Sequence, residues 1–272
     1  MKKLLPLFLL LSAFFSPAQE SFFRGNNMYV APAASAAPFQ APATTTGGLI
    51  LNLDAANPTS YAGTGTTWTN LVTGNAVANF DLTNGVSFNA AYGGVLRFSN
   101  SGYARTTSSF GRLANYTIEI WVKIAGTTGP APNANYTPCL FSDVYNGSIN
   151  MILAYNGYNF PTSPNQYTTG YYNGGWNTFS TTSNTSDLDN WIHIVATYNG
   201  STCIIYKNGS VIGTGTIGNN ANTSNAGYFI GHRWDKSEIV YGDYSYVNLT
   251  NWAITSSEVS PHLNAVKSRI GL

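Results

Sequence analysis

The chain is predicted to fold as an all-β sandwich or barrel closed by one C-terminal helix, and three observations carry that expectation. From Gly48 onward, short apolar segments alternate with turns rich in Gly, Asn, Thr and Ser, the spacing of a sandwich or barrel. Asn199-Gly200 and Asn208-Gly209 each fall between strand-like runs, and Asn-Gly is favoured in type I′ hairpin turns because both positions need positive φ. The composition is 43% hydrophobic and 14% aromatic, which supplies the apolar mass a core needs.

The elements follow in chain order. Lys2 and Lys3, the apolar run from Leu4 to Phe15 and the small-residue stretch Ser16-Pro17-Ala18 are the three parts of a secretory signal peptide, with cleavage expected after Ala18. The apolar run is well short of the ~20 residues a bilayer-spanning helix requires, and no later stretch is longer. No Cys lies near the cleavage point, which disfavours a lipid anchor. Residues 19–47 are rich in Ala, Pro and Thr without a sustained period and read as a tether. Met28-Tyr29-Val30 interrupts it as a short edge strand, for this domain or for a neighbouring chain.

The domain proper is residues 48–272, with strands expected at 49–53, 95–98, 116–124, 139–143, 149–155, 191–198, 202–207, 211–216, 228–231 and 244–252. The two Asn-Gly turns make the strands at 191–198, 202–207 and 211–216 antiparallel neighbours. In the first of these, Trp191 and Val195 occupy one face and Ile192, Ile194 and Ala196 the other, so this strand is expected to be central and covered on both sides. His193 shares the face of Trp191, where a hydrogen-bonded core histidine outweighs a ligand. Val259, Leu263, Val266 and Ile270 are spaced for one helical face, with Ser260 as N-cap and Pro261 in the first turn.

Charge narrows the function classes. Charged residues make up 8% of the chain and the net charge is +1, so there is no basic surface of the kind that neutralises phosphates, and nucleic acid is not an expected partner. The two cysteines, Cys139 and Cys203, fall in strand-like segments. A disulfide and two buried thiols fit equally, since pairing depends on a Cβ separation that sequence does not give. No Cys/His spacing of a metal site occurs.

The segments Leu51-Asn52-Leu53-Asp54-Ala55-Ala56-Asn57-Pro58, Tyr61-Ala62-Gly63-Thr64-Gly65-Thr66-Thr67-Trp68, Tyr116-Thr117-Ile118-Glu119-Ile120-Trp121-Val122-Lys123, Trp191-Ile192-His193-Ile194-Val195-Ala196-Thr197-Tyr198 and Ile205-Tyr206-Lys207-Asn208-Gly209 stand in the order seen in one family. Together with the closing segment from Thr255 to Leu272, they resemble the laminin-G-like jelly-roll domains of the concanavalin A-like lectin/glucanase superfamily. The resemblance implies a two-sheet antiparallel jelly-roll sandwich with a short C-terminal helix. It leaves function open, since members include lectins, polysaccharide hydrolases, adhesion modules and structural domains.

Hydrolase relatives carry carboxylates at alternate positions of one strand, and a retaining mechanism needs two of them ~5–5.5 Å apart. Here Glu119 stands alone between Ile118 and Ile120, so catalysis would need an acid brought beside it by the fold, and none is expected. His232, in a turn, and His262, in the terminal helix, are expected at the surface or as caps. Calcium, held by many relatives, has Asp143, Asp235 and Asp243 as candidate ligands, although Asp is also an ordinary turn residue.

Sugar binding calls for flat aromatic faces beside amides and hydroxyls. The stretch from Tyr155 to Phe179 offers Tyr158, Tyr171 and Trp176 among asparagines, and a second group holds Arg233 and Trp234. Trp176, Tyr171, Trp234, Arg233 and Tyr158 are the expected ligand-binding residues, against the alternative that these rings cover a sheet face. The expected role is an exported, non-catalytic carbohydrate-binding or adhesion module whose partner is a glycan or a cell-surface protein. A self-assembling surface subunit is the alternative, suggested by the low charge and the tether.

Overall fold

A computed structural model describes residues 48–272 apart from 75–76, 84, 100, 107, 129–137, 146–147, 157–163, 173, 183–184, 219–226 and 234–237. The expected leader and tether lie outside the described residues, as do Tyr158, Trp234 and Asp235. The strands are β1 (Leu49–Asp54), β2 (Thr67–Trp68), β3 (Phe80–Leu82), β4 (Val86–Asn89), β5 (Val95–Phe98), β6 (Ala104–Arg105), β7 (Tyr116–Thr128), β8 (Cys139–Tyr145), β9 (Ser148–Asn156), β10 (Gln166–Tyr172), β11 (Trp176–Ser180), β12 (Trp191–Tyr198), β13 (Thr202–Lys207), β14 (Ser210–Thr216), β15 (Tyr228–Ile230) and β16 (Ile239–Thr250). A helix, α1 (Ser256–Lys267), follows them.

The strands form two layers. The first sheet runs β14-β13-β12-β7-β16, and the far edge of β16 is shared by β1 along its C-terminal half and by β5, itself paired with β4. The second runs β11-β10-β9-β8-β15-β6-β3-β2. A single parallel pair, Ile239 with Cys139, joins them. Alternation along β7 and β12 places the core: Ile118, Ile120, Val122 and Ile124, with Ile192, Ile194, Ala196 and Tyr198, face Phe141, Met151, Leu153, Tyr155, Tyr167 and Tyr228 of the second sheet.

The other face of β7 and β12 is also apolar in part, and α1 covers it. Trp121, Trp191, Tyr246 and Val95 pack with Val266 and Ile270, while Val195 and Tyr206 pack with Val259 and Ile254. All eight residues of β12 are buried, as a central strand covered twice requires.

One local expectation holds and two change. At Asn208-Gly209 both residues have positive φ, 49° and 83°, as a type I′ turn demands. At Asn199-Gly200 only the glycine does. The Asn199 side chain instead accepts from the N–H groups of Ser201 and Thr202, giving a wider loop between the same two strands. Helix α1 starts earlier than expected, with Thr255 as N-cap and Pro261 inside the helix. Glu258 reaches back to the Thr255 N–H at 2.7 Å, and this capping interaction outweighs the start signal that Ser260-Pro261 imitates.

The cysteines are reduced thiols. Cys203 lies in the core between the sheets, and Cys139 lies in a separate cluster with Ile149 and Ile152, so of the two alternatives the protein has two buried thiols. Part of the stretch read as a binding loop, 155–179, is strand: β10 pairs with both β9 and β11.

Candidate functional site

The helix covers only part of the outer face of the first sheet. Where it stops, strand register aligns one residue from each of five neighbouring strands. Ser87 on β4 pairs with Arg97 on β5, Arg97 with Asp243 on β16, Asp243 with Lys123 on β7, and Lys123 with Trp191 on β12. Cross-strand partners point to the same face, so this rung is a continuous row of side chains.

A groove of about 450 Å³ opens over the row, lined also by Ser99, Ala125, Asp189 and Tyr241. That volume falls in the range of small-ligand sites. Gly242 makes the close approach of β16 to β7 possible, because a Cβ there would stand 2.1 Å from the Lys123 carbonyl oxygen.

Two cations and two carboxylates line the groove, so its charge is balanced. Arg97 donates from Nε to Asp243 Oδ1 at 2.6 Å and from Nη2 to Oδ2 at 2.8 Å, a bidentate pair. Its side chain is 55% exposed while that of Asp243 is 5%, so a buried carboxylate anchors an exposed guanidinium. The hydrogen bond to Asp243 and its charge raise the Arg97 pKa above its already high ordinary value. The Lys123 ammonium lies 5.7 Å from the centre of the Tyr92 ring, within cation–π range. Tyr92, 36% exposed, adjoins the groove through Lys123 and stands edge-on to Trp191 with centroids 5.3 Å apart.

Beside the groove, under α1, lies a second polar group. Glu119, on the face of Trp121 and Lys123, accepts from His193 Nε2 at 2.8 Å and from His262 Nδ1 at 2.7 Å. Burial pushes the Glu119 carboxyl up, but the hydrogen bonds and charge of His193 and His262 outweigh burial and bring it down to about 2. Burial lowers His262, and the Glu119 hydrogen bond with its charge more than reverses this. No acid flanks Glu119 in this arrangement; two imidazoles do. His262 and His232, expected at the surface, are buried at 6% and 1% exposure.

The residues singled out from sequence are dispersed. Trp176 is exposed and opens β11, opposite Tyr172 with ring centroids 5.1 Å apart, on the second sheet and so apart from the groove. Tyr171, expected at the ligand, is 6% exposed and belongs to the core between the sheets, because the alternation of β10 turns it inward. Arg233 is paired with the buried Glu238 at 2.9 Å.

The two calcium candidates among the described residues, Asp143 and Asp243, form no ligand set. Asp243 spends both oxygens on Arg97. Asp143 is fully buried, pushed up to about 7 by burial against the hydrogen bonds of Asn150 and Ser109, and a carboxyl biased towards its neutral form makes a poor cation ligand. Among the described residues no three His, Cys, Asp or Glu side chains converge as metal ligands, and no helix there is long and apolar enough to cross a membrane.

Sequence reading missed the groove because its members come from separate strands with no motif between them. One signal was present: Lys123 and Arg97 are charged residues flanked by apolar neighbours within strands.

Residues 98–260 match the family model for laminin-G-like domains of the concanavalin A-like lectin/glucanases superfamily. No curated protein matches the chain in sequence. Among solved structures, domain 4 of AbnA, a GH43 extracellular arabinanase from Geobacillus stearothermophilus, determined with arabinotriose, aligns with TM-score 0.57 and 16% identity over 78% of this chain and 97% of that domain. The binding domain of botulinum neurotoxin DC, determined with rat synaptotagmin II, aligns with TM-score 0.57 and 12% identity over 80% of this chain, which spans 51% of the toxin domain. A mutant of Trypanosoma rangeli sialidase with trans-sialidase activity aligns with TM-score 0.54 and 17% identity over 83% of this chain and 34% of that protein. At such identities the likeness is one of fold.

Proposed function

The chain belongs to the concanavalin A-like lectin/glucanases superfamily, and we propose that within it the protein is an exported, non-catalytic carbohydrate-binding or adhesion module whose ligand lies in the groove over the Ser87–Arg97–Asp243–Lys123 rung. The observation that carries this reading is the rung itself, a row of hydrogen-bonding side chains held rigid by strand register beside an exposed aromatic ring. Sites built on strands hold their geometry better than sites on loops. The titratable groups nearby support binding over hydrolysis. Asp243 is committed to Arg97, and Glu119 is ionised and sealed below the helix, 1% exposed, where no leaving group could take a proton from it.

Residues 1–18 would direct the chain out of the cell and 19–47 would tether the domain, so the partner would be a glycan or a surface protein met outside the cell. That domain 4 of AbnA was determined with arabinotriose fits a saccharide ligand on this fold.

A glycan array probed with the mature protein tests the reading. Binding is expected and should fall at least tenfold in Lys123→Ala and Arg97→Ala proteins that keep their cooperative unfolding. A wild-type protein that binds no glycan on the array, with or without calcium, would overturn it. One observation supports self-assembly as a second reading. In the edge strand β14, Val211 is 53% exposed, and an apolar side chain on a sheet edge invites a second chain. Light scattering that finds a monomer at every concentration would refute it.

A further inference from the structure

The proposed groove contains two cations, Arg97 and Lys123, and two carboxylates, Asp243 and Asp189. The Arg97–Asp243 pair is internally satisfied. That leaves the Lys123 ammonium, whose neighbour is an aromatic ring, and the Asp189 carboxylate as donor and acceptor for a ligand. Asp189 is fixed at φ 60°, with its N–H donating to the Ile124 carbonyl at 2.7 Å, so its backbone is anchored to β7, the strand that carries Lys123.

Tyr92 adds the third part. It is a non-glycine residue at φ 57° within the sequence Ala91-Tyr92-Gly93-Gly94. Gly93 and Gly94 also take positive φ, and glycine at position 92 would adopt that conformation without steric penalty. A bulky aromatic held in the left-handed region is a conformational burden that tends to persist where the side chain has a use. Here the ring packs edge-on against Trp191 and lies next to Lys123, which lines the groove.

We propose that Tyr92 is the stacking platform for a neutral saccharide, and that Lys123 and Asp189 together answer a pair of its hydroxyls. The inference rests on the carbohydrate-binding reading above and specifies the ligand class. An acidic sugar meets Asp189 as a like charge and competes with Asp243 for Arg97. A neutral sugar uses the donor and the acceptor at once and lays its apolar face on the ring.

The test compares arabinotriose and other neutral trisaccharides with trigalacturonate and sialyllactose by calorimetric titration at low and moderate salt. Neutral ligands should bind with little salt dependence. Tyr92→Phe should bind within about twofold of wild type. Tyr92→Ala and Tyr92→Gly should lose at least tenfold, the glycine variant while unfolding no earlier than the alanine one. Asp189→Asn should weaken the neutral ligand and relax the discrimination against trigalacturonate.

Selective binding of the acidic sugars, weakening with salt, would overturn the ligand class and leave the binding reading standing. Undiminished binding by Tyr92→Gly would overturn the platform. Loss confined to Trp176→Ala would move the site to β11 and overturn both parts, and no binding of any sugar by wild type would overturn the function itself.

Discussion

Replacing Glu119 with Gln probes the joint between α1 and the first sheet. The carboxylate is fully buried and accepts from one imidazole at each oxygen. Its lowering from 4.5 to about 2 corresponds to roughly 3 kcal/mol of stability at 1.36 kcal/mol per tenfold. Because the folded value is depressed, this stabilisation is complete above 4.5 and is lost as pH falls from there towards 2. His262 is shifted the other way, so its share is complete below the ordinary 6.5 and is lost as pH rises through its raised value. The joint is therefore strongest between those limits. Glutamine in place of Glu119 sets an amide N–H against one imidazole donor, and breaking a buried ion pair typically costs about 3–5 kcal/mol. Equilibrium urea denaturation of wild type and Glu119→Gln at intervals from pH 6 to pH 3 measures it. At pH 6 the gap should be about 3 kcal/mol, and it should narrow steadily below pH 4.5. A gap that is flat over that range, or under about 0.5 kcal/mol at pH 6, would show that the two histidines do not hold the carboxylate as described.

Three further outcomes are expected. Gly215→Ala places a Cβ 2.1 Å from the Phe179 ring, and overpacking of this kind costs about 1–3 kcal/mol; a second substitution, Phe179→Ala, should recover part of that loss in urea melts. Cys203 is pushed up to about 12 by burial, so it and the buried Cys139 should resist a thiol reagent until the protein unfolds, and a Cys139–Cys203 peptide in non-reducing mass spectrometry would contradict the structure. Thr255→Ala removes the N-cap of α1 and should cost about 1 kcal/mol while leaving ligand binding unchanged.

Much of the fold was legible because periodicity reports burial. The two apolar faces of 191–198 announced a strand between layers, and both covers are present, the second sheet and α1. The short strands β2, β3, β4 and β6 were not legible, since two to four residues set no period and their pairing comes from tertiary contact. The binding residues were read by type, and type does not separate an inward from an outward ring. Tyr171 and Trp176 stand five residues apart in the same aromatic stretch, yet the β10 pleat buries one and the turn into β11 exposes the other. Glu119 was read as solitary because its partners lie 74 and 143 residues away. The groove was hidden for the same reason, since β4, β5, β7 and β16 line it from distant parts of the chain.

The way α1 divides the outer face leads to a last prediction. Val259 and Val266 of the helix and Ile270 just after it are 0–3% exposed, and burying each such side chain is worth roughly 1.5–3 kcal/mol. Their sum, about 5–9 kcal/mol, is comparable to the whole 5–15 kcal/mol stability of a typical domain. Ending the chain before Thr255 would also uncover Trp121, Val195 and Tyr206 on a sheet face that helix residues now cover, and would leave Glu119 without His262. Trp191 belongs both to the cluster under the helix and to the rung that carries Lys123, so the damage would reach the groove wall. The truncated protein should therefore bind a hydrophobic dye, unfold without a cooperative transition and lose its ligand. A soluble truncated domain that melts cooperatively within about 2 kcal/mol of the full chain would show that the sandwich stands without the helix, and that the two halves of this face are independent.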